Sequence, residues 1–418
     1  FATLGIPPFH NIDTFWIGRT LGADALAAAT ASIFWIWLVI SIAELVSIGL
    51  DATAARRHGE RRPDEAARTV SDGILLALGL GVVVALLSVV AMPWLFRVME
   101  TSPTVSALGG RYLGAYLLGM PLLFGSFAVD AAFRASGDTR TPMRIITTAL
   151  VVGIALDPVF IRGLGPVPAL GITGAAVATV LPRGIAFLVG IRLLARRGLV
   201  RFGALRGEVL WRIARIGGPA AATGVAFSAI YVVLTRTTTQ FGTPALAALG
   251  LGFRVESVVY VISVGFGLAV AAVVGQSLGA GQVARAARAG WIATACVTVV
   301  GGATAVVSFV YADALAGIFS QDPAVIAEAA RYLRIASFCQ LFLGAEVVLE
   351  SAMGGAGWTL IPMLCSTGIT ALRVPVGAWA AAQWGTTGLW WTLAITAAAR
   401  GAVMAGLWGW GRWRRAEA

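Results

Sequence analysis

The sequence predicts an all-α polytopic membrane protein with twelve transmembrane helices in two six-helix lobes. Three observations carry that reading. Hydrophobic residues make up 58% of the 418 and charged residues 12%, with a mean hydropathy of +0.85, outside the balance of water-soluble domains. The apolar residues gather in runs of about 20, the length a helix needs to cross a hydrocarbon core of about 30 Å. The second half of the chain repeats the first at a constant shift of 220 residues, as Gly22 returning at Gly242 illustrates.

Taken in order, the runs bounded by Gly, Pro or charge lie near Phe1 to Ile17, Leu26 to Leu50, Gly73 to Met99, Leu113 to Ala132, Met143 to Ile161 and Ile172 to Leu194. The second set lies near Gly217 to Leu234, Leu246 to Gly275, Gly290 to Tyr311, Leu333 to Gly354, Leu360 to Trp384 and Gly388 to Trp410. Three segments are therefore expected: an N-terminal lobe over 1–195, an Arg-rich cytoplasmic linker over 196–216 and a C-terminal lobe over 217–418.

The net charge of +11 would suggest nucleic acid in a soluble chain, but the basic residues cluster between apolar runs, where membrane topology explains them. Every one is arginine. Arg56, Arg57, Arg61, Arg62 and Arg68 follow the second run, and Arg134, Arg140 and Arg144 the fourth. Arg196 to Arg215 follow the sixth, and Arg285 and Arg288 the eighth. Basic residues near span ends stay on the cytoplasmic side, so both termini are expected there, in an inner or plasma membrane. Trp408, Trp410, Arg412, Trp413, Arg414 and Arg415 fit an interfacial anchor at the last span. The expected partners are a small molecule and membrane lipids, with no nucleic acid, and the chain is expected to be a monomer.

The repeat is spread widely. Gly22 to Ala28 returns as Gly242 to Ala248, Pro103 as Pro323, Arg111-Tyr-Leu113 as Arg331-Tyr-Leu333, and Pro142-Met143 as Pro362-Met363. An even number of spans separates the copies, so they share an orientation, and a cavity between two parallel lobes is expected. Trp211 to Arg215 lead into the second copy, and their counterparts would precede Phe1. The first helix is accordingly expected to be N-terminally truncated. Three cysteines inside apolar runs and two histidines, His10 and His58, suggest neither a disulfide framework nor a metal site.

Acids inside apolar spans cost on the order of 2.5–3.5 kcal/mol at mid-membrane and so call for a reason. Asp13 and Asp157 are level, each about five residues before the outer end of its helix; the second copy has Val233 in place of the first and Arg373 near the second. Architecture alone does not demand them. Two such carboxylates in low dielectric can share and exchange a proton or bind a cation, whereas helix–helix hydrogen bonding is the alternative. Asp130 and Glu350 are repeat equivalents near cytoplasmic helix ends. Asp130 lies one turn from Arg134, open to an ion pair, an inner gate or substrate contact. Glu44 is open in the same way, with Arg56 or Arg57 as partners. Arg254, Glu256, Glu346, Glu350 and Arg373 form a mixed cluster in the second lobe, either a structural network or a lining for a cationic substrate. His10 fits a proton relay to Asp13 or a packed core residue, and Pro7, Pro8 and Pro158 are expected to bend the helices beside the two acids.

Asp13-Thr-Phe-Trp-Ile-Gly-Arg19, Ala135-Ser-Gly-Asp-Thr-Arg-Thr-Pro142, Leu156-Asp-Pro-Val-Phe-Ile161, Gly165-Pro-Val-Pro-Ala-Leu-Gly-Ile-Thr-Gly-Ala-Ala176 and Val274-Gly-Gln-Ser-Leu-Gly-Ala-Gly281 together resemble the multidrug and toxic compound extrusion (MATE) family over nearly the whole chain. The resemblance implies a V-shaped pair of lobes exporting cationic or amphipathic compounds in exchange for H+ or Na+, with no other cofactor and no catalytic residues. Asp13 and Asp157 match the two acids that one branch uses for ion coupling. The chain departs from that branch at Gly153, where Asn is usual, and at Asn11, two residues before the acid rather than three. Phe227 stands near where sodium-coupled relatives carry an acid, favouring H+, and Trp358 replaces a frequent Asp. A lipid-linked saccharide flippase is the competing transport reading. An intramembrane aspartyl hydrolase would need Tyr-Asp and Gly-x-Gly-Asp contexts that Asp13 and Asp157 lack.

Overall fold

The computed structural model describes residues 16–17, 20–21, 23–98, 103–164, 168–319 and 322–415. Most of the first expected span, with Pro7, Pro8, His10, Asn11 and Asp13, lies outside them, as do residues 165–167 of the motif that begins at Gly165.

The described chain is helical. In the first half α1 (Ala23–Gly59), α2 (Pro63–Val98), α3 (Pro103–Leu118), α4 (Met120–Ala135), α5 (Arg140–Arg162) and α6 (Ile172–Arg196) follow in order. α7 (Gly207–Thr239) leads into α8 (Thr243–Gly279), α9 (Val283–Val310), α10 (Ala312–Phe319), α11 (Pro323–Ser337), α12 (Gln340–Gly355), α13 (Leu360–Ala371) and α14 (Arg373–Trp410). Local chemistry sets several ends. Pro63 starts α2, where its missing N–H costs nothing, and Asp64 and Glu65 complement the positive end of the helix dipole. Asp138 accepts from the backbone N–H groups of Arg140 and Thr141, both at 3.0 Å, and so satisfies donors in the first turn of α5.

The 220-residue shift is written into the backbone. Helix starts at 23, 63, 103, 120 and 140 recur at 243, 283, 323, 340 and 360. α3 and α4 meet at a bend of 50°, α11 and α12 at one of 56°. A Cβ on Gly81 would lie 2.7 Å from Pro121 Cα and 3.0 Å from Met120 O; one on Gly301 would lie 2.5 Å from Gln340 O. Both glycines thus admit the neighbouring backbone at the same crossing, just past the bend. Gly137 and Gly357 share a left-handed φ, and so do Arg61 (59°) and Gly281 (72°) in the α1–α2 and α8–α9 turns.

Among the described residues, eight helices are long and apolar enough to cross a membrane, or ten with each bent pair taken as one span. The stretch Leu360–Trp410 contains non-helical backbone at Trp384 and Gly385, which divides it into two crossings and brings the count to eleven. The described fold accommodates the twelve-helix architecture. The fourth and tenth spans are longer than expected from Leu113 and Leu333: each is a bent pair beginning at Pro103 or Pro323. Apolarity shows where a chain can lie in lipid, but not where its helix axis turns.

Contacts divide the chain into two compact units, Phe1–Ala221 and Ala222–Ala418. The N-terminal core mixes Phe124, Phe133, Tyr112 and Leu50 with many alanines, including Ala28, Ala43, Ala54 and Ala55. Such residues suit helices that must pack by close approach, since lipid is as apolar as they are. The C-terminal unit has one cluster around Tyr332, Leu333 and Trp390 and another around Val348, Met353 and Trp408. Residues 197–206 are non-helical, while 207–216 already belong to α7. This stretch is tied to the N-terminal unit: the Arg201 N–H donates to Ser71 Oγ (2.9 Å), and the Arg201 and Arg206 side chains reach Asp64 (3.1 Å) and Asp72 (2.7 Å). Farther on, Gly217 packs so tightly that a Cβ would come within 1.8 Å of Leu45 O in α1.

Candidate functional site

Asp157 sits on the packed stripe of α5. Leu150, Gly153, Asp157 and Ile161 are its buried residues along this stretch, spaced by three or four positions and therefore on one face. Asp157 is 0% exposed. Pro158 follows it, removing one helical N–H from the ladder. The end of α5 is held by the segment leading into α6: Leu170 N–H donates to Phe160 O (2.9 Å) and Gly171 N–H to Ile161 O (3.3 Å). A Cβ on Gly174 would sit 2.3 Å from Phe160 O, so glycine is what allows this approach. By the 220 shift Asp157 corresponds to Gly377, one turn beyond Arg373. Its expected partners Asp13 and Asn11 lie outside the described residues.

At the Arg-rich end of the same unit, the arginines of two pairings that the sequence left open reach other acids. Arg134 bonds Asp51 of α1 (Nε to Oδ2, 3.0 Å) and Ser47 (Nη2 to Oγ, 2.9 Å), not Asp130. One turn of helix brings Asp130 near Arg134, but the guanidinium reaches across to another helix where the carboxylate is almost wholly buried. Asp130, half-buried, remains within electrostatic reach of both Arg134 and Arg183. Glu44 is exposed; its expected partners turn elsewhere, Arg56 to Glu60 (3.6 Å) and Arg57 to Glu60 (2.6 Å) and Glu65 (3.7 Å). These shorter local reaches on the hairpin prevail. Asp51 and Arg183 escaped the sequence reading although both are charges inside helical apolar surroundings, which is the signal that could have found them.

The C-terminal unit brings Arg373 within electrostatic reach of both Glu256 and Glu346. Arg373, 2% exposed, donates to Tyr231 Oη (2.6 Å), Thr396 Oγ1 (2.8 Å) and Leu393 O (3.3 Å). Glu256 accepts from Tyr332 Oη at 2.7 Å. A direct ion pair here is one the sequence reading missed: Arg400 of α14 bonds Glu346 at 2.9 Å, with side chains 7% and 6% exposed, and also Thr370 Oγ1 (3.2 Å). A mixed buried set of this kind neutralises its charges internally. Arg254 is exposed on α8, and Glu350 half-buried on α12. Phe227 and Tyr231 are in ring contact at 4.3 Å, and Tyr231 and Phe253 at 4.9 Å.

Duplicated sets of membrane helices, with a carboxylate buried on a span of one copy and not at the equivalent position of the other, are an architecture of transporters built from internal repeats. The comparisons with known proteins give the family. The sequence model of the MatE family matches residues 3–159 and 219–379, covering most of both repeats, and the chain belongs to this family of efflux transporters, whose members are not enzymes. It is 27% identical over 369 residues to the probable multidrug resistance protein YoeA of Bacillus subtilis, covering 86% of this chain and 80% of that one. It is 28% identical over 396 residues to the FAD transporter of Shewanella oneidensis, with coverage of 93% and 87%. The fold matches the Vibrio cholerae MATE transporter VcmN in its bent form, with a TM-score of 0.90 at 23% identity over 99% of this chain and 94% of that one.

Proposed function

We propose that this multi-pass membrane protein is a proton-driven antiporter that exports cationic, amphipathic small molecules by alternating access. Asp13 and Asp157 carry the coupling ion. In this reading the protein resides in the inner or plasma membrane with both termini cytoplasmic, and it works as a monomer.

The observation that carries the proposal is Asp157: a fully buried acid on the packed face of an apolar span, with Gly377 at the equivalent place in the second repeat. An acid that the repeated architecture does not need, kept where ionisation is costly, suits cycles of proton uptake and release. The relative named as an FAD transporter raises an anionic cargo. However, Arg373 and Arg400 direct donors to Tyr231, Thr396, Leu393, Glu346 and Thr370, so these guanidiniums are engaged inside the unit and favour no anion.

The test is efflux of a fluorescent organic cation from proteoliposomes under an imposed proton gradient, with and without sodium, comparing the wild type with Asp13→Asn, Asp157→Asn and the double variant. The proposal expects proton-driven flux in the wild type and its loss in the variants. Full active transport by the double variant at normal expression would falsify the assignment of these acids. Flux that requires sodium would change the coupling ion, and lipid scrambling without cation flux would favour a flippase.

A further inference from the structure

We infer that the segment joining the two repeats is an anchor for anionic phospholipid, with Phe202, Leu205 and Trp211 seated among the lipids and Arg212 and Arg215 on the headgroup phosphates.

The segment lies at headgroup depth. Residues 197–206 join two helices long and apolar enough to cross a membrane, Ile172–Arg196 and Gly207–Thr238. From 196 to 215 the chain has six arginines and one acid, Glu208. Three of the arginines hold the segment to the N-terminal unit: Arg197 to Asp138, Arg201 to Asp64 and Arg206 to Asp72. The Arg201 N–H also donates to Ser71 Oγ (2.9 Å) and Ala67 O (3.2 Å), and Arg206 Nη2 to Thr69 Oγ1 (3.2 Å). The loop backbone is thus fixed, yet Phe202 and Leu205 between these ties are 58% and 57% exposed.

The first turns of α7 continue that surface. Ile213 and Ile216 are buried, and a Cβ on Gly49 would lie 2.1 Å from Ile213 O, so one side is locked onto α1. The other side carries Glu208, Trp211, Arg212 and Arg215, which share a face at helical spacing and are all exposed, Trp211 at 68%. A large indole on the charged face of a helix gains nothing from water. At a membrane boundary it has a place, because tryptophan favours headgroup depth and arginine meets phosphate with a planar fork of donors. Arg68 extends the charge: its guanidinium would lie 3.4 Å from a Cβ on Gly203, between Phe202 and Leu205. The neighbouring acids Asp64 and Glu65 pair with Arg201, Arg57 and Arg62. Positive charge beside apolar rings complements an anionic headgroup above its acyl chains. Charge that only sets topology needs no rings beside it.

The experiment reads quenching of Trp211 fluorescence in phosphatidylcholine vesicles that contain either brominated phosphatidylglycerol or brominated phosphatidylcholine. Subtracting the signal of Trp211→Phe isolates this indole from the other tryptophans. Both lipids should quench it, with a relative binding constant favouring phosphatidylglycerol by about five-fold or more, the scale of one arginine near an anionic surface. Arg212→Gln/Arg215→Gln should bring that ratio within about two-fold of unity, whereas Arg212→Lys/Arg215→Lys, which keeps the charge, should retain at least half of it. Phe202→Ser/Leu205→Ser should weaken quenching by both lipids without changing their ratio. Arg285→Gln/Arg288→Gln, which removes two exposed arginines of α9, should leave the ratio as in the wild type. Absence of quenching by either lipid would place Trp211 in water and overturn the anchor. A wild-type ratio near unity, a ratio unmoved by Arg212→Gln/Arg215→Gln, or an equal fall with Arg285→Gln/Arg288→Gln would do the same. A ratio abolished by millimolar glycerol 1-phosphate would also overturn it, assigning these arginines to a soluble phosphate instead of a lipid.

Discussion

Asp51→Ala leaves a guanidinium buried in the N-terminal unit without its carboxylate. Arg134 Nε and Asp51 Oδ2 are 3.0 Å apart, and the two side chains are 11% and 3% exposed. Unit charges at that distance attract by about 5.5 kcal/mol at an effective dielectric of ~20. Removing Asp51 also relieves its own desolvation, so the expected loss is about 3–5 kcal/mol, the scale for breaking a buried pair from one side. The second repeat supplies the control, because Ala271 and Gly354 stand at the positions equivalent to Asp51 and Arg134. That copy closes the same crossing without charge, with Gly355 so close to Ala271 that a Cβ would come within 2.1 Å of its carbonyl oxygen. Asp51→Ala/Arg134→Ala should therefore recover about 2 kcal/mol or more, seen as a favourable interaction energy in a double-mutant cycle. Thermal unfolding of the detergent-solubilised protein is the assay. At about 2–4 °C per kcal/mol for a unit of roughly 200 residues, the single variant should unfold ~10 °C lower and the double variant within about 5 °C of wild type. A single variant within 2 °C of wild type, or a double variant below both singles, would refute the reasoning.

Gly81→Ala and Gly301→Ala should each destabilise by about 1–3 kcal/mol, because the added methyl meets backbone at 2.7 Å or 2.5 Å; Gly218→Ala, with nothing within 4 Å, is the comparison, and equal melting of all three would contradict the crossing argument. Arg61→Gly should gain about 0.5–1 kcal/mol by relieving a left-handed φ of 59° in a non-glycine residue, measurable as a higher melting temperature. Desolvation acts to raise the Asp138 carboxyl, but hydrogen bonds from Thr141, Arg197 and the backbone N–H groups of Thr141 and Arg140 outweigh it and hold it below the usual carboxylate range. A depressed folded value means that its stabilisation is complete above the ordinary value near ~3.9 and disappears as pH falls through the folded one. The melting difference between wild type and Asp138→Asn should thus be constant from about pH 5 to 8 and shrink only below about pH 4. A difference that varies across the neutral range would show that another group carries the effect.

Helix placement was legible because two signals are one-dimensional: apolar run length, and a shift that returns residues such as Gly22, Pro103 and Pro142 at 220 positions. Bends at Gly119 and Cys339 were not, since hydropathy is blind to axis direction and a proline marks the first bend, at Pro121, but not the second, where Leu341 stands. Burial of Asp157 was readable from its apolar span. Partner choice was not: Arg134 has Asp130 one turn away, yet a long guanidinium can cross to Asp51 on another helix. Glu346 likewise finds Arg400, more than 50 positions distant in the sequence, a pairing that spacing along one helix cannot reveal.

The constant register and the unshared charges together describe how the two halves have diverged. Backbone geometry has been inherited almost position for position, down to the left-handed turn that one copy makes with Gly281 and the other with Arg61. Ionic chemistry has been rewritten independently, with Asp51 opposite Ala271, Asp138 opposite Trp358 and Asp157 opposite Gly377. The halves are therefore interchangeable as scaffolds but not as devices. A chimaera carrying two first halves could preserve the helix spacing while doubling one set of buried charges and losing the other, so assembly and transport would be inherited as separate traits.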